Sequence, residues 1–459
     1  MDVLSPMANL SNATVVITGI GPITAMGVGV TSLWNAFEHE AAPSIVTQRS
    51  TTSNGGRSYY RIYSPTPEML ADLDVPSVYL QRLQEWYGER FDPDHITLIQ
   101  TINLALEDSG LSYDEDENNV SLFLLHENPG IEKFFSDCLD LVFDAFVKTG
   151  RSEPSLTCRQ AQESKEAFRA EVYKHMVQDT YNLQPFMFLY ALVRTFRFHG
   201  YSLYVNNACA SGLFAMESAY RQITSGQSQV AIVAGIDWPS RYLYKNLWFD
   251  WEGLYSTSEA IKPFSRERDG FILGDAACAI VFEDFEHAQA RRAHVYGEYV
   301  GGGFDLEGWK VTVPAGSPDS YVRAVRRAME RCNVSGEEID LINPHGVSTS
   351  VGDAYESKGL HMLFGSSLKD KIITNLKPYL GHTLGVCGLV ETVILLLMLE
   401  RQYVVGTLNA KSTAEALLIE SRRVSGNTTI RHALKISAGF AGYNGAAIFR
   451  AATAFGRRR

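Results

Sequence analysis

The stretch from Tyr204 to Tyr220, YVNNACASGLFAMESAY, commits the chain to a strand, a tight corner and a helix in immediate succession. Tyr201 to Val205 has strand-like apolar and aromatic character. Asn206 and Asn207 form a polar corner, after which Leu213, Met216, Ala219 and Tyr220 recur at helical spacing. Cys209 stands at the junction. A thiol at the first turn of a helix faces unpaired backbone N–H groups and the positive end of the helix dipole, both of which favour a thiolate. Ala208, Ala210, Ser211 and Gly212 leave room above the sulfur for a large group. A lone cysteine is more often a small buried hydrophobe than a nucleophile. The rest of the chain has to decide.

The same alternation of strand and helix runs through the sequence and predicts an α/β layered fold. Thr14 to Ile20 is a β-branched run of buried-strand type, and Thr31 or Ser32 is positioned to cap the helix that follows. His95 to Ser109 reads as a helix ending at Gly110, and Val120 to Leu125 as a strand. Further strands are expected at 230–234, 277–282, 295–300, 339–342, 372–375, 434–438 and 445–451, with helices at 185–198, 320–332, 354–363 and 384–399. Thr47 to Arg61 is rich in Ser, Thr and Gly and reads as a surface loop. Residues near 130–182 pair an aromatic stretch (Phe134, Phe135, Phe143, Phe146) with a strongly polar one, and two helices are expected there.

Composition narrows the function. A net charge of −11 argues against nucleic acid as a partner. Six cysteines without metal spacing or a disulfide rhythm fit a reducing cytoplasmic compartment and imply no metal site. No basic region followed by an apolar one marks a signal peptide. The longest apolar run, Leu389 to Leu399, is interrupted by Glu391 and is too short to span a bilayer. It reads as a buried helix.

Two histidines follow predicted strands. Asn343-Pro344-His345-Gly346 precedes a run of small polar residues, and His382 closes Asn375-Leu376-Lys377-Pro378-Tyr379-Leu380-Gly381-His382. Strand ends are common places for chemistry in α/β folds. Gly439-Phe440-Ala441-Gly442-Tyr443-Asn444-Gly445 is a turn between two strands, either a plain hairpin or one that aims backbone N–H groups at an oxyanion.

In this order, the cysteine, the two histidines and the glycine-rich turn resemble the β-ketoacyl-acyl carrier protein synthases of fatty-acid and polyketide synthesis. ACASG is similar to the nucleophile motif, NPHGVSTSVGDAYE to the first histidine motif and NLKPYLGHTLGVCGLVE to the Lys/His motif. GFAGYNG, KPFSRERDGFILGD and VVITGIGPITAMG also match, whereas 130–182 has no counterpart. The resemblance implies a thiolase-like fold with a duplicated αβαβα five-layer core. Residues 1–290 would form the half carrying the nucleophile, with an insertion near 130–182, and 291–459 the half carrying both histidines.

It also implies roles. Cys209 would take an acyl group from a carrier thioester, with the oxyanion held at the N–H groups of Cys209 and Phe440 and the turn gated through Gly439 and Gly442. His345 and His382, kept neutral by Lys377, would stabilise the enolate left when a malonyl thioester loses carbon dioxide. Glu391, Asp353 and Glu356 would support this network, and Thr349 would bind the phosphopantetheine arm. That arm arrives on an acyl carrier protein, so no permanently bound cofactor is expected. The implied protein is a cytoplasmic homodimer, or a heterodimer with a ketosynthase-like subunit. Val347 stands where a threonine is usual, Ala441 where a glycine is, and Tyr443 where a small polar residue is; Glu252 falls near a usual carrier-binding arginine. These departures favour a specialised pathway. Two other readings stay open: an acyltransferase that passes the acyl group to an amine or alcohol, and a chain-length-type subunit.

Overall fold

The computed structural model describes residues 13–49, 59–88, 91–131, 134, 139–140, 163, 165–167, 169–170, 173–174, 184–409, 422–423 and 429–453. Most of the 130–182 segment, including Phe135, Phe143 and Phe146, therefore lies outside the described residues, as do most residues of the two helices expected there.

Two sets of five strands, with the short Gly27–Val28 strand added beside the first, build one continuous sheet. In the first half these are β1 (Val15–Thr24), β2 (Ser121–Leu125), β3 (Ser202–Val205), β4 (Val230–Asp237) and β5 (Ala276–Asp284), in the spatial order β3-β2-β4-β5-β1. The second half has β6 (Gly297–Leu306), β7 (Leu341–Asn343), β8 (Ile372–Ile373), β9 (His432–Gly439) and β10 (Tyr443–Ala451), in the order β8-β7-β9-β10-β6. Order and direction repeat. In each half the second strand lies parallel to the third and fourth, and the fifth is antiparallel to the fourth and first. The halves join where Val16 and Ile17 of β1 pair with Glu298 and Gly297 of β6.

Seven helices matter here: α1 (Pro93–Ser109), α2 (Pro185–Phe196), α3 (Ser211–Thr224), α4 (Leu243–Trp251), α5 (Asp319–Cys332), α6 (Ser350–Phe364) and α7 (Cys387–Arg401). α1 covers one face of the first-half strands and packs on α2, and α5 covers the second-half strands and packs on α6. α3 and α7 lie between the halves and touch strands of both. That is the five-layer α/β arrangement implied by the sequence resemblance. No internal repeat is visible in the residues themselves, so the duplication lives at the level of strand order. We propose a division into 1–290 and 291–459 on that repeat.

Local chemistry explains the elements. All ten residues of β1 are buried, as a strand covered on both faces requires. A Cβ on its Gly19 or Gly21 would meet a carbonyl oxygen of α1 at 2.3 or 2.2 Å, so glycine lets sheet and helix backbones meet. α1 is capped by Asp92, which accepts from Asp94 N–H at 2.8 Å, and ends at left-handed Gly110. α7 is buried from Cys387 to Leu399, as a helix apolar on all sides must be.

Several sequence expectations are corrected. Ile45–Arg49 and Tyr59–Tyr63 pair as an antiparallel hairpin where a surface loop was expected, because their β-branched and aromatic residues pair across the polar stretch. The helix expected to be capped at Thr31 or Ser32 begins at Gly29 with no side-chain cap, since Gly27 and Val28 pair with β1 and deliver the chain already turned. The buried helix opens with a 3₁₀ turn, Leu384–Val386. Helices Ser77–Tyr87 and α4 were not foreseen. No helix among the described residues is long and apolar enough to cross a membrane.

Candidate active site

β3 ends at Val205 and the chain turns sharply before α3. Asn206 Oδ1 accepts from Ala208 N–H at 3.2 Å, and Ser211 Oγ accepts from Asn207 N–H at 2.8 Å while donating to Ala208 O at 2.6 Å. These bonds hold Ala208 in the left-handed region (φ 50°), which is costly for a residue with a Cβ. The corner thrusts Cys209 forward. α3 starts at Ser211 with Ala210 as cap, so Cys209 lies just outside the helix rather than in its first turn. The residue is 5% exposed. Burial pushes its thiol well above the ordinary range, the negative charge of Glu127 adds to this, and Lys377 and Lys245 oppose it. Burial therefore favours the thiol form of the resting sulfur.

A proton acceptor lies next to it. His382 Nε2 is 3.2 Å from Cys209 Sγ. Gly381 (φ 73°) turns the chain out of a short helix at Lys377–Leu380, and His382 N–H donates to Ile272 O at 2.7 Å. His345 sits on the loop after β7. Glu356 fixes that loop by accepting from His345 N–H at 2.7 Å, Gly346 N–H at 2.6 Å and Tyr321 O–H at 2.9 Å. Asn375 ties the two histidine loops together: its side-chain N–H donates to His345 O at 3.2 Å, and its carbonyl oxygen accepts from Lys377 N–H at 3.1 Å. The rings cross at 81° with centroids 5.4 Å apart.

Behind the rings lies a fully buried charge cluster. Glu391 on α7 accepts from Lys377 Nζ at 2.6 Å and from Lys435 Nζ at 2.8 Å. Burial drives the imidazolium forms of both histidines down, and Lys377 is the next cause for each, followed by other nearby cations. Both rings are therefore neutral at pH 7. Lys435 escaped the sequence reading, although a lysine inside the apolar strand β9 was the available signal.

The remaining candidates converge on the same place. Asp353 accepts from Ser348 N–H at 3.0 Å and Phe264 N–H at 2.6 Å, and burial pushes its carboxyl up to about 7. Burial also raises Glu356. Thr349 caps α6 by accepting from Gly352 N–H at 3.3 Å, which leaves its hydroxyl proton available. The glycine-rich stretch is a β9–β10 hairpin. A Cβ on Gly439 would sit 3.3 Å from Cys209 N, so its bare backbone brings the turn against the nucleophile. Ala441 holds φ 60° and donates to Val311 O at 2.7 Å, and the Phe440 ring packs on Trp248 and Phe249 of α4. Tyr443 meets Phe214 edge-on with ring centroids 5.9 Å apart.

A cavity of about 270 Å³ opens over this ground. Cys209, His345, His382, Thr349, Asp353, Glu356, Gly439, Phe440 and Gly442 all line it, whereas Lys377 and Glu391 stand behind the wall. Sγ and one nitrogen of each imidazole lie within 4.8 Å of one another, close enough for a soft cation. However, Nδ1 of both histidines is buried without a hydrogen-bond partner among the described residues. Metal-ligating histidines ordinarily have the second nitrogen held. The trio is better suited to moving protons and polarising a carbonyl.

Comparisons with known proteins place the chain in a family. The chain is 32% identical over 261 residues to 3-oxoacyl-[acyl-carrier-protein] synthase 2 of Vibrio cholerae, covering 55% of this chain and 62% of that protein. It is 30% identical over 248 residues to the protein of the same name in Staphylococcus aureus, covering 53% and 60%. The aligned part thus spans less than two thirds of these relatives. Among solved structures, a β-ketoacyl synthase from Burkholderia phymatum superposes with TM-score 0.73 at 24% identity, over 96% of this chain and 99% of the other. A type II polyketide ketosynthase, in complex with its acyl-carrier protein and bound to the hexaketide, gives 0.72 at 22%, over 96% and 99%. The ishigamide ketosynthase/chain length factor gives 0.74 at 21%, over 95% and 99%. These likenesses identify the fold as that of the thiolase-type ketosynthases. Residues 12–288 match the sequence model described as "Beta-ketoacyl synthase, N-terminal domain" and residues 296–411 the one described as "Beta-ketoacyl synthase, C-terminal domain", and on that match the chain belongs to the β-ketoacyl synthase family.

Proposed function

We propose that this protein is an acyltransferase that condenses an acyl group, held on Cys209, with a malonyl thioester delivered by an acyl carrier protein. The observation that carries this reading is the buried thiol 3.2 Å from a neutral imidazole, with a second neutral imidazole beside it in one cavity. In the loading step Cys209 Sγ attacks the thioester carbon, its proton passes to His382 Nε2, and the pantetheine sulfur leaves with that proton. N–H groups of Cys209 and Phe440 receive the oxyanion. The malonyl thioester then enters by the same mouth, with Thr349 binding its pantetheine arm. N–H groups of His345 and of His382, the latter after its ring proton moves from Nδ1 to Nε2, stabilise the enolate as carbon dioxide leaves, and the carbanion attacks the acyl carbon and expels Sγ as a thiolate that takes a proton from solvent. No permanently bound cofactor enters these steps.

The lysine cluster behind the rings favours condensation over simple transfer, because an acceptor amine or alcohol needs no decarboxylation site. The cysteine and both histidines together weigh against a chain-length-type subunit. Ala441, Tyr443 and Val347 support a role in a specialised fatty-acid or polyketide pathway. A cytoplasmic dimer, with itself or with a ketosynthase-like subunit, belongs to the same proposal.

His345→Ala is expected to accept an acyl group from a carrier thioester yet lose about 10²–10³-fold in carbon dioxide release from malonyl carrier protein, whereas His382→Ala, which removes the acceptor of the thiol proton, should also load slowly. Intact-protein mass reads the first step and carbon dioxide evolution the second. With both rings held neutral, release in the unaltered protein should show no acid limb at the ordinary histidine value of 6.5. Undiminished release in both variants would refute the assignment.

A further inference from the structure

A second charged cluster lies beside the thiol and takes no part in the steps above. Glu127, just past the end of β2, is bridged by Lys245 of α4 at 2.5 Å, with only 16% and 9% of the two side chains exposed. Asp237, at the end of β4, accepts from Glu127 N–H at 3.2 Å and from Val386 N–H at 3.3 Å. A Cβ built on Gly385 would lie 3.3 Å from Glu127 Cγ, 3.1 Å from Asp237 Oδ2 and 3.5 Å from Ala208 O. The cluster therefore sits against the corner that carries Cys209, and the charges of Glu127 and Lys245 are both felt at that thiol. None of the three lines the 270 Å³ cavity.

The order of events makes this placement consequential. The second thioester must enter the cavity while the first acyl group is still bound to Sγ. The acyl group then needs room outside that cavity, and the Glu127–Lys245 pair is the charged group packed near the corner that holds Sγ. A saturated chain laid against a partly solvated ion pair strips its water and returns no hydrogen bond. A chain bearing a hydroxyl restores one. Glu127 Oε2 is engaged by Lys245, while no donor among the described residues engages Oε1.

We propose that the Glu127–Lys245 pair is a specificity determinant, selecting acyl groups with a hydrogen-bonding oxygen near the thioester over saturated groups of equal length. The inference rests on the condensing-enzyme reading. The chemistry is unchanged: the Sγ–acyl bond forms, the thioester C–S bond breaks, and the thiol proton leaves with the departing sulfur.

The test compares loading of the full-length protein from N-acetylcysteamine thioesters of hexanoate and 3-hydroxyhexanoate, followed by intact-protein mass. The unaltered protein should load the hydroxylated group at least about tenfold faster. The double variant Glu127→Leu/Lys245→Met, which removes both members of the pair together, should abolish that ratio, chiefly by speeding hexanoate. The ratio within each protein cancels any loss of folded material. Equal or faster hexanoate loading by the unaltered protein would overturn the proposal while leaving the nucleophile assignment intact. A ratio that survives in a folded double variant would also overturn it. Absence of any adduct on Cys209 would instead remove the reading on which it rests.

Discussion

Cys209→Ala is expected to yield a folded protein that takes up no acyl group from any carrier thioester. Removing one sulfur from a buried site costs about 1 kcal/mol of stability, too little to unfold a domain of this size. The chemistry has no substitute. Cys387 is the nearest rival, since its S–H donates to Cys209 O at 3.3 Å, but it lies under the nucleophile rather than in the cavity. Burial pushes its thiol up to about 12, and it lacks the bonded imidazole that His382 supplies to Cys209. Loading should fall by at least about 10⁴-fold, as when a nucleophile is deleted from a working constellation. Intact-protein mass before and after addition of an acyl carrier thioester reads this directly. Wild-type adduct on Cys387 or any other residue would defeat the assignment.

Glu391→Leu should be the most destabilising single change near the site. The carboxylate is the shared partner of Lys377 and Lys435, all three without solvent contact. Its loss strands two cations in a dry interior, a change that typically costs about 3–5 kcal/mol. Chemical denaturation should show this as a lower midpoint at unchanged slope. Replacing the whole cluster (Lys377→Met, Glu391→Leu, Lys435→Met) should recover most of that stability, because apolar groups of similar volume strand nothing. The triple variant would nonetheless lack the cations that help hold His345 and His382 neutral, so its carbon dioxide release should acquire an acid limb. A Glu391→Leu protein within about 1 kcal/mol of the original would show that the cluster is not the closed unit described.

Much of this site was legible because its residue types sit at positions with one meaning. A thiol between a strand and small residues, a histidine after a strand and a glycine-rich turn each name both a group and its place. Glu391 was legible as a charge inside an apolar run. Glu127, Lys245 and Asp237 were not, since Glu127 is far in sequence from the other two and meets them only because β2 lies beside β4 and α4 follows. Asn375 belongs with them: nothing local shows that its side chain bridges two loops. In the fold, long periodic helices and buried strands were readable. The hairpin at Ile45–Tyr63 was not, because a strand pair is defined by its partner and the local composition spoke of a loop. The repeated strand order was equally hidden, being a property of pairing rather than of residues.

The helix that follows the nucleophile and the one that follows the second histidine touch through their main chains. A Cβ on Gly212 would stand 2.9 Å from Leu389 N and 3.0 Å from Gly388 Cα. No side chain lies between them to rearrange, and the contact is in the central layer. The spacing between sulfur and imidazole is thus set by the most protected part of the molecule, not by mobile surface segments. Such regions open only when the whole unit melts. In rising denaturant, loss of acyl transfer, exposure of Cys209 to alkylation and the fluorescence change should share a single midpoint, with no inactive yet compact species preceding it.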